Sequence, residues 1–126
     1  MKCRETSATS DLAVEAIRQR PDFDQLVQQL RVQRVAGKGR DPFKAARTYR
    51  GAGCSQCGGT GFNGRVGLFE IFEVDDEIRR MIMQRQDAAA IRSVASGRGM
   101  KTLFQDGVAK VLMGETTFEE IQRAAL

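Results

Sequence analysis

The chain has 126 residues, of which 41% are apolar, and a net charge of +4, so it can build one modest core. No apolar run approaches the ~20 residues of a membrane-spanning helix, and residues 1–11 are too polar for a signal peptide. Its three cysteines are an odd number, which argues against a disulfide framework and favours a reducing compartment. We therefore expect a cytoplasmic location without direct membrane insertion.

Residues 11–33 carry apolar side chains at helical spacing and predict two helices. Pro21 separates them, because proline lacks the amide donor and clashes with the preceding turn. Ser10 and Asp22 are the candidate N-caps. We expect a helical hairpin at this end of the chain.

The middle of the chain changes from helical patterning to loops and short strands. A basic, breaker-rich loop is predicted at residues 37–42, and a short strand at Thr48–Arg50. Residues 51–61, which we name the cysteine loop, include five glycines and therefore predict a tightly turned segment. Val66–Val74 is rich in β-branched and aromatic residues, although Gly67 weakens its start, and predicts a second strand.

Four short helices are predicted after this strand, each with an apolar stripe on one face only. Thr116 and Glu119 match a capping box for the last one. Gly107 lies inside a helical pattern, where glycine costs about 1 kcal/mol relative to alanine, so we expect close helix packing there. The predicted helix starts are Asp75 or Asp76, Asp87, about Thr102, and Thr116.

The predicted fold is mostly α with a small β component. Residues 1–64 are expected to form a metal-binding subdomain, consisting of the helical hairpin and a zinc-knuckle-like cysteine loop. Residues 65–126 are expected to form a small helical C-terminal domain, consisting of a strand and a bundle of about four short helices. The proposed boundary lies near Gly64-Arg65.

Cys54-Ser55-Gln56-Cys57 is the sharpest chemical signal. Two thiolates at this spacing on a glycine-rich turn can bind one tetrahedral zinc ion. A redox Cys-x-x-Cys pair would instead precede a helix, and Gly58-Gly59 is a poor helix start. The sequence therefore favours a structural metal site over a redox site.

A structural zinc site requires four ligands, and the chain offers Cys3, Cys54 and Cys57 with no histidine. If a cysteine preceded Met1, it would form a second Cys-x-x-Cys pair with Cys3, and we expect the chain to be a fragment that lacks this ligand. The alternative is that Cys3 is an isolated thiol near the chain terminus.

Ordered motifs after residue 50 resemble the type II secretion and type IV pilus-assembly ATPases of the GspE/PilB type. The resemblance covers residues 50–126, over half the chain, and Cys3-Arg4-Glu5 is similar to the end of the family's first cysteine pair. The stretch between the two pairs is longer here than the family usually has. The matching runs are Cys54-x-x-Cys57-x-Gly59-Thr60-Gly61-Phe62-x-Gly64-Arg65-x-Gly67-Leu68-Phe69-Glu70, Val74-Asp75-Asp76-Glu77-Ile78-Arg79, and Gly99-Met100-Lys101-Thr102-Leu103-x-x-Asp106-Gly107-x-x-Lys110-Val111-x-x-Gly114-Glu115-Thr116-Thr117-x-Glu119-Glu120-Ile121.

This resemblance implies a parent enzyme that hydrolyses ATP as a hexamer at the cytoplasmic face of the inner membrane. The implied partners are the rest of the ATPase, neighbouring subunits and inner-membrane platform proteins, with no nucleic acid. The implied cofactor is structural zinc, whereas ATP and magnesium belong to the missing core. The sequence contains no Gly-x-x-x-x-Gly-Lys-Ser/Thr phosphate loop, so the fragment alone is expected to be inactive.

Two other zinc modules are alternatives. The run from Cys54 to Gly61 matches a DnaJ-like zinc repeat, but that family carries the repeat four times. A nucleic-acid-binding zinc knuckle would use the basic stretch of residues 31–65, which has one acid and few aromatic residues; the simpler interpretation is a solvated surface. Arg65 is predicted to be structural, pairing with Glu70 or a carbonyl; the alternative is a contact with a neighbouring subunit or a nucleotide phosphate. The basic residues are Arg31, Arg34, Lys38, Arg40, Lys44, Arg47, Arg50 and Arg65.

Overall fold

The computed structural model describes residues 3–7, 11–35, 43 and 48–125. The predicted cap Ser10 and basic loop 37–42 lie outside these residues. None of the helices in the described ranges has the length and apolarity that crossing a membrane requires. The mostly helical fold class with a small β component is confirmed. The elements are β1 (Arg4–Ser7), α1 (Asp11–Arg18), α2 (Phe23–Val32), β2 (Thr48–Gly51), α3 (Asp76–Met83), α4 (Ala88–Gly97), α5 (Leu103–Leu112) and α6 (Phe118–Ala125).

The two strands form a small antiparallel sheet, with Arg4 opposite Gly51 and Ser7 opposite Thr48. The strand predicted at Thr48–Arg50 is therefore confirmed. Strand β1 was not predicted, because its sequence Arg-Glu-Thr-Ser has no apolar alternation. The Arg4 guanidinium lies 5.0 Å from the centre of the Tyr49 ring and reinforces the pairing. This sheet brings the start of the chain beside the cysteine loop.

The helical hairpin is confirmed. Helix α1 ends at Arg18 and α2 begins at Phe23, so Pro21 lies between them. Asp22 occupies the N-cap position of α2, but its side chain does not bond to the helix. Its carboxylate instead accepts hydrogen bonds from Arg20 Nε at 2.9 Å and Gln105 Nε2 at 3.3 Å. Asp22 therefore links the hairpin to α5.

The main hydrophobic core lies between the hairpin and the last two helices. A smaller cluster joins α3 and α4 through Ile78, Met81 and Ala95. The proposed boundary at residues 64 and 65 separates helices that share the main core. Independent folding of residues 1–64 and 65–126 stays a prediction. The main core consists of Val14, Ile17, Leu26, Leu30, Phe43, Phe104, Val108, Ala109, Val111, Phe118 and Ile121.

Side-chain caps start three of the last four helices, as the sequence predicts. Asp75 Oδ1 accepts the Glu77 and Ile78 amides at 3.0 and 2.9 Å, and Asp87 caps α4 in the same way. Thr102 and Gln105 form a reciprocal capping box at α5, with bonds of 3.1 and 3.2 Å. These local bonds explain why short helices begin at these residues.

Helix α6 begins at Phe118, one residue later than the predicted capping box implies. Thr117 Oγ1, not Thr116 Oγ1, accepts the bond from the Glu120 amide, at 3.5 Å. Thr116 and Thr117 are both buried. Since adjacent threonines offer the same hydroxyl, packing of the turn decides which of them caps the helix.

Val66–Val74 does not form the predicted strand. Within the described residues it belongs to no sheet and makes no backbone–backbone hydrogen bond. Five of its apolar side chains are exposed to solvent: Val66, Phe69, Ile71, Phe72 and Val74. High β-propensity is insufficient without a neighbouring strand, because a strand requires a partner for its amides and carbonyls.

Candidate metal centre

The three cysteines, distant in sequence, converge in the structure. The Sγ atoms of Cys3, Cys54 and Cys57 all lie within 4.8 Å of one another, and each residue is half-buried. Cys3 immediately precedes β1, and its carbonyl accepts a hydrogen bond from the Ala52 amide at 2.9 Å. The β1–β2 pairing therefore places Cys3 next to the cysteine loop, so Cys3 is not an isolated thiol.

The second half of the cluster is built by one tight turn. Ser55–Cys57 forms a single 3₁₀ turn that starts at Cys54 and ends at Gly58. The Cys54 carbonyl accepts the amides of Cys57 and Gly59 at 3.2 and 3.0 Å. The pair is thus followed by a left-handed residue, not by an α-helix. This local geometry differs from that of a redox pair at a helix N-terminus.

Close backbone contact holds the ends of the cysteine loop together. Gly61 has φ +79°, and a Cβ there would lie 2.7 Å from the Gly51 carbonyl oxygen. A Cβ on Gly51 would lie 2.2 Å from the Gly61 carbonyl oxygen. Only glycine satisfies both requirements, and this approach directs the Gly61 amide towards the site.

Two amides point at the Cys57 sulfur. The Cys54 N–H donates to Cys57 Sγ at 3.1 Å, and the Gly61 N–H donates at 3.2 Å. These two bonds lower the pKa of the Cys57 thiol from 9.0 to about 6, and the bond from the Cys54 amide has the larger effect. Cys57 is therefore mostly thiolate near neutral pH, which is the form that binds metals.

Cys3 has the opposite electrostatic bias. Its Sγ lies 3.8 Å from Cys57 Sγ. Burial, followed by a hydrogen bond with Cys54, raises the pKa of the Cys3 thiol above 9.0. A nearby cation would reverse this effect, because it stabilises the thiolate. The cluster thus combines one thiolate, at Cys57, with a thiol at Cys3 whose ionisation a bound cation would favour.

The sulfur spacing fits a tetrahedral metal ion. Zn–S bonds of about 2.3 Å place two ligand sulfurs about 3.8 Å apart along a tetrahedron edge. The separation of Cys3 Sγ and Cys57 Sγ is 3.8 Å, well beyond the ~2.05 Å of a disulfide. Amides donating to a thiolate are the outer contacts expected around a metal-bound sulfur. The arrangement can hold a metal ion through three sulfurs.

The other residues singled out from the sequence have different surroundings. Glu70 Oε2 accepts the Leu103 amide at 3.0 Å and thereby caps α5, in place of the predicted pairing with Arg65. Arg65 lines a surface cavity of about 460 Å³ together with Glu115. Four of the eight basic residues in the stretch 31–65 lie outside the described residues: Lys38, Arg40, Lys44 and Arg47.

Sequence reasoning missed two contributions to the site. Strand β1, which delivers Cys3, has no apolar pattern that signals a strand. The Gly61 amide was also missed, although the glycine-rich composition of the loop signals unusual backbone geometry. The pairing of β1 depends on residues more than forty positions away, whereas the Gly61 amide depends on backbone contacts within the cysteine loop.

Comparison with known proteins places the chain among secretion proteins. A family model described as Type II/IV secretion system protein matches residues 10–123. The type IV pilus assembly ATPase PilB of Thermus thermophilus is 48% identical over 79 residues, covering 63% of this chain and 9% of PilB. The type II secretion system protein HxcR of Pseudomonas aeruginosa is 41% identical over 75 residues, covering 60% and 16%. The type II secretion system protein E of Xanthomonas campestris is 42% identical over 64 residues, covering 51% and 11%.

Proposed function

The chain belongs to the Type II/IV secretion system protein family, and on this premise we propose that it is the metal-binding and helical module of a secretion or pilus-assembly ATPase. The chain spans about 9–16% of the length of these relatives. Its role is structural: it stabilises the motor and transmits movement to partner proteins. ATP hydrolysis belongs to parts of such an ATPase that this sequence does not contain, since the phosphate-loop motif is absent.

One observation carries the metal-binding part of the proposal, the convergence of three sulfurs within 4.8 Å. We assign Cys3, Cys54 and Cys57 as ligands of a structural zinc ion, with water or a carboxylate as fourth ligand. Zinc is the preferred identity because sulfur-rich tetrahedral sites select it in reducing compartments. The ion would join the start of the chain to the cysteine loop and reinforce the two-stranded sheet.

Elemental analysis of the purified, untagged chain tests the site directly. We expect about one zinc per chain, with three thiols titrating only after denaturation and chelation. Cys54→Ser should abolish the zinc, whereas Ser55→Ala in the same turn should retain it, because Ser55 is exposed and offers no sulfur. Three freely reactive thiols and no zinc in the unmodified protein would remove every metal assignment and leave the family membership intact.

In the proposed assembly, the chain is part of a hexameric ATPase at the cytoplasmic face of the inner membrane and contacts platform proteins. A chimera tests it. The 79 matched residues of Thermus thermophilus PilB are replaced by those of this chain. We expect the chimera to retain pilus assembly in cells, because a module of the same architecture is restored. A chimera that folds and hydrolyses ATP normally but assembles no pili would contradict a shared transmission role.

A further inference from the structure

Strand β1 contributes nothing to the hydrophobic core. It has four residues, and Arg4, Glu5 and Thr6 are exposed. Among the described residues, neither hydrophobic cluster includes a member of this strand. A two-stranded pairing without a buried apolar face is marginally stable in water. Whether β1 stays paired with β2 therefore depends strongly on the contacts that its end and its side chains make.

The cysteine cluster supplies one of these contacts. Cys3 immediately precedes β1 and is the member of the cluster that lies outside the cysteine loop. In the proposed function, a bound metal ion joins the Cys3 sulfur to the sulfurs of Cys54 and Cys57. The three sulfurs surround the ion only when Cys3 lies beside the loop. Metal binding and the pairing of β1 with β2 therefore stabilise each other.

A second contact of β1 is a stacked pair of side chains. Arg4 and Tyr49 are diagonal neighbours on one face of the sheet, because Arg4 lies opposite Gly51 and Thr6 lies opposite Tyr49. Gly51 has no side chain, so the space beside Tyr49 is open to Arg4. The Arg4 guanidinium lies over the Tyr49 ring, 5.0 Å from its centre. This pair exists only while β1 and β2 are paired.

The stacked pair covers the turn between α5 and α6, residues 113–117, which we name the α5–α6 corner. Gly114 is buried there, and a Cβ built on it would lie 2.7 Å from Tyr49 Cδ2 and 3.0 Å from Arg4 Nη1. Its φ of +75° allows the chain to leave the helix. The amides of Gly114 and Glu115 close the end of α5 by donating to carbonyls of its last turn, at 2.9 Å each. Arg4 and Tyr49 therefore contact the backbone that ends α5.

We propose that β1 is a metal-dependent strap that couples the cysteine cluster to the α5–α6 corner. With the ion bound, Cys3 is fixed, β1 is paired, and Arg4 lies over Tyr49 and Gly114. Without the ion, the unpaired state of β1 gains population, and the corner loses the guanidinium that covers it. The strap rests on the proposed metal centre and goes beyond it, since it links the ion to helices that contain no ligand.

Coupling of this kind is reciprocal. If the ion stabilises the contact between Arg4 and the corner, that contact stabilises the bound ion by the same factor. A cation stacked on an aromatic ring near the surface changes an equilibrium constant about two- to fivefold. We therefore expect loss of the Arg4 contact to weaken zinc binding about two- to fivefold.

Amide hydrogen exchange of the full chain, with zinc bound and after chelation, tests the strap. The reporters are the amides of Gly114 and Glu115. The control is the Met100 amide, which closes the end of α4 by donating to the Ala95 carbonyl at 3.1 Å. We expect zinc removal to speed exchange at the corner about two- to fivefold and to leave Met100 unchanged. Bound zinc without this difference, or an equal change at Met100, would overturn the coupling and leave the metal centre intact.

Two glycine variants separate displacement of the strap from backbone strain. Gly114 and Gly99 both follow a helix and have positive φ, +75° and +95°. Alanine strains the backbone at either position, but a Cβ at Gly99 meets no atom within 4 Å. Gly114→Ala should weaken zinc binding at least about twofold, measured by competition with a chelator of known affinity, and Gly99→Ala should not change it. Circular dichroism verifies that both variants are folded. Equal zinc affinities in the two folded variants would contradict the strap.

Arg4→Ala tests the same contact without placing an atom in the corner. Its control is Arg50→Ala, which removes an exposed arginine of β2 that pairs with Glu5 across the sheet at 3.8 Å. We expect weaker zinc binding, and corner exchange that no longer responds to zinc, in Arg4→Ala only. Equal effects in both arginine variants would mean that sheet pairing alone is responsible, and the coupling would be wrong. An unmodified chain that binds no zinc would refute the metal centre and the strap together.

Discussion

Packing between α5 and α6 depends on the absence of a side chain at Gly107. A Cβ built there lies 2.8 Å from Ile121 Cδ1, 2.9 Å from Cγ2 and 3.0 Å from Cγ1. Ordinary carbon–carbon contacts are about 3.5–4.0 Å. Close helix packing, which the sequence predicts for this glycine, is therefore confirmed. Gly107→Ala is the simplest perturbation of this contact.

Two opposing effects determine the stability of Gly107→Ala. Alanine favours the helix by about 0.4–1 kcal/mol over glycine, mainly by restricting the unfolded chain. Overpacking a filled core costs about 1–3 kcal/mol. Ile121 is only 1% exposed and has no solvent to turn into, so the clash should dominate. We expect a net destabilisation of about 1–2 kcal/mol, and each kcal/mol lowers Tm by roughly 4 °C.

Urea unfolding followed by circular dichroism measures this change. Gly97→Ala is the matched control, because a Cβ there meets no atom within 4 Å in α4, and it should stabilise slightly. Ile121→Val removes Cδ1, the atom nearest to the new methyl group, so Gly107→Ala should cost less in that background. A Gly107→Ala protein as stable as the unmodified chain would refute the packing argument.

Three further predictions concern charge and the cysteines. Burial raises the pKa of Asp106, but hydrogen bonds from Lys110 and from the Phe69 amide outweigh it and leave the pKa below 3.8. The stability that Asp106 contributes should therefore be complete above about pH 4 and be lost as the pH falls through its folded-state pKa. Denaturation curves of Asp106→Asn should lack this loss. In metal-free protein, ultraviolet absorbance should show the Cys57 thiol ionising near pH 6. The stability that the Cys57 thiolate contributes should be complete above pH 9 and disappear as the pH falls from 9 to about 6. Cys54→Ser combined with Cys57→Ser should lower Tm and leave most of the helical circular dichroism; an equal loss of all helical signal would contradict the division at residues 64 and 65.

Much of the helical structure arises from local chemistry. Asp87 and Thr102 cap α4 and α5, and Pro21 separates α1 from α2 as predicted. These signals act within one or two helical turns, so the sequence contains all the groups involved. The turn from Cys54 to Cys57 is local in the same sense, and the spacing alone marks both thiols as candidate metal ligands.

Tertiary contacts account for the features that the sequence left open or predicted wrongly. Cys3 joins the cluster only because β1 pairs with β2, and that pairing spans more than forty residues. Val66–Val74 has strong β-propensity, yet no described strand lies beside it, so side chains of α5 hold it instead.

Local sequence signals define which segments are helical, where most of them start and which thiols suit a metal. The tertiary fold selects which distant groups meet. The partner of β2 and the third thiol of the cluster both come from residues more than forty positions away, and no local pattern records that separation. A capping bond needs a neighbour along the chain, whereas a strand or a metal site needs a neighbour in space.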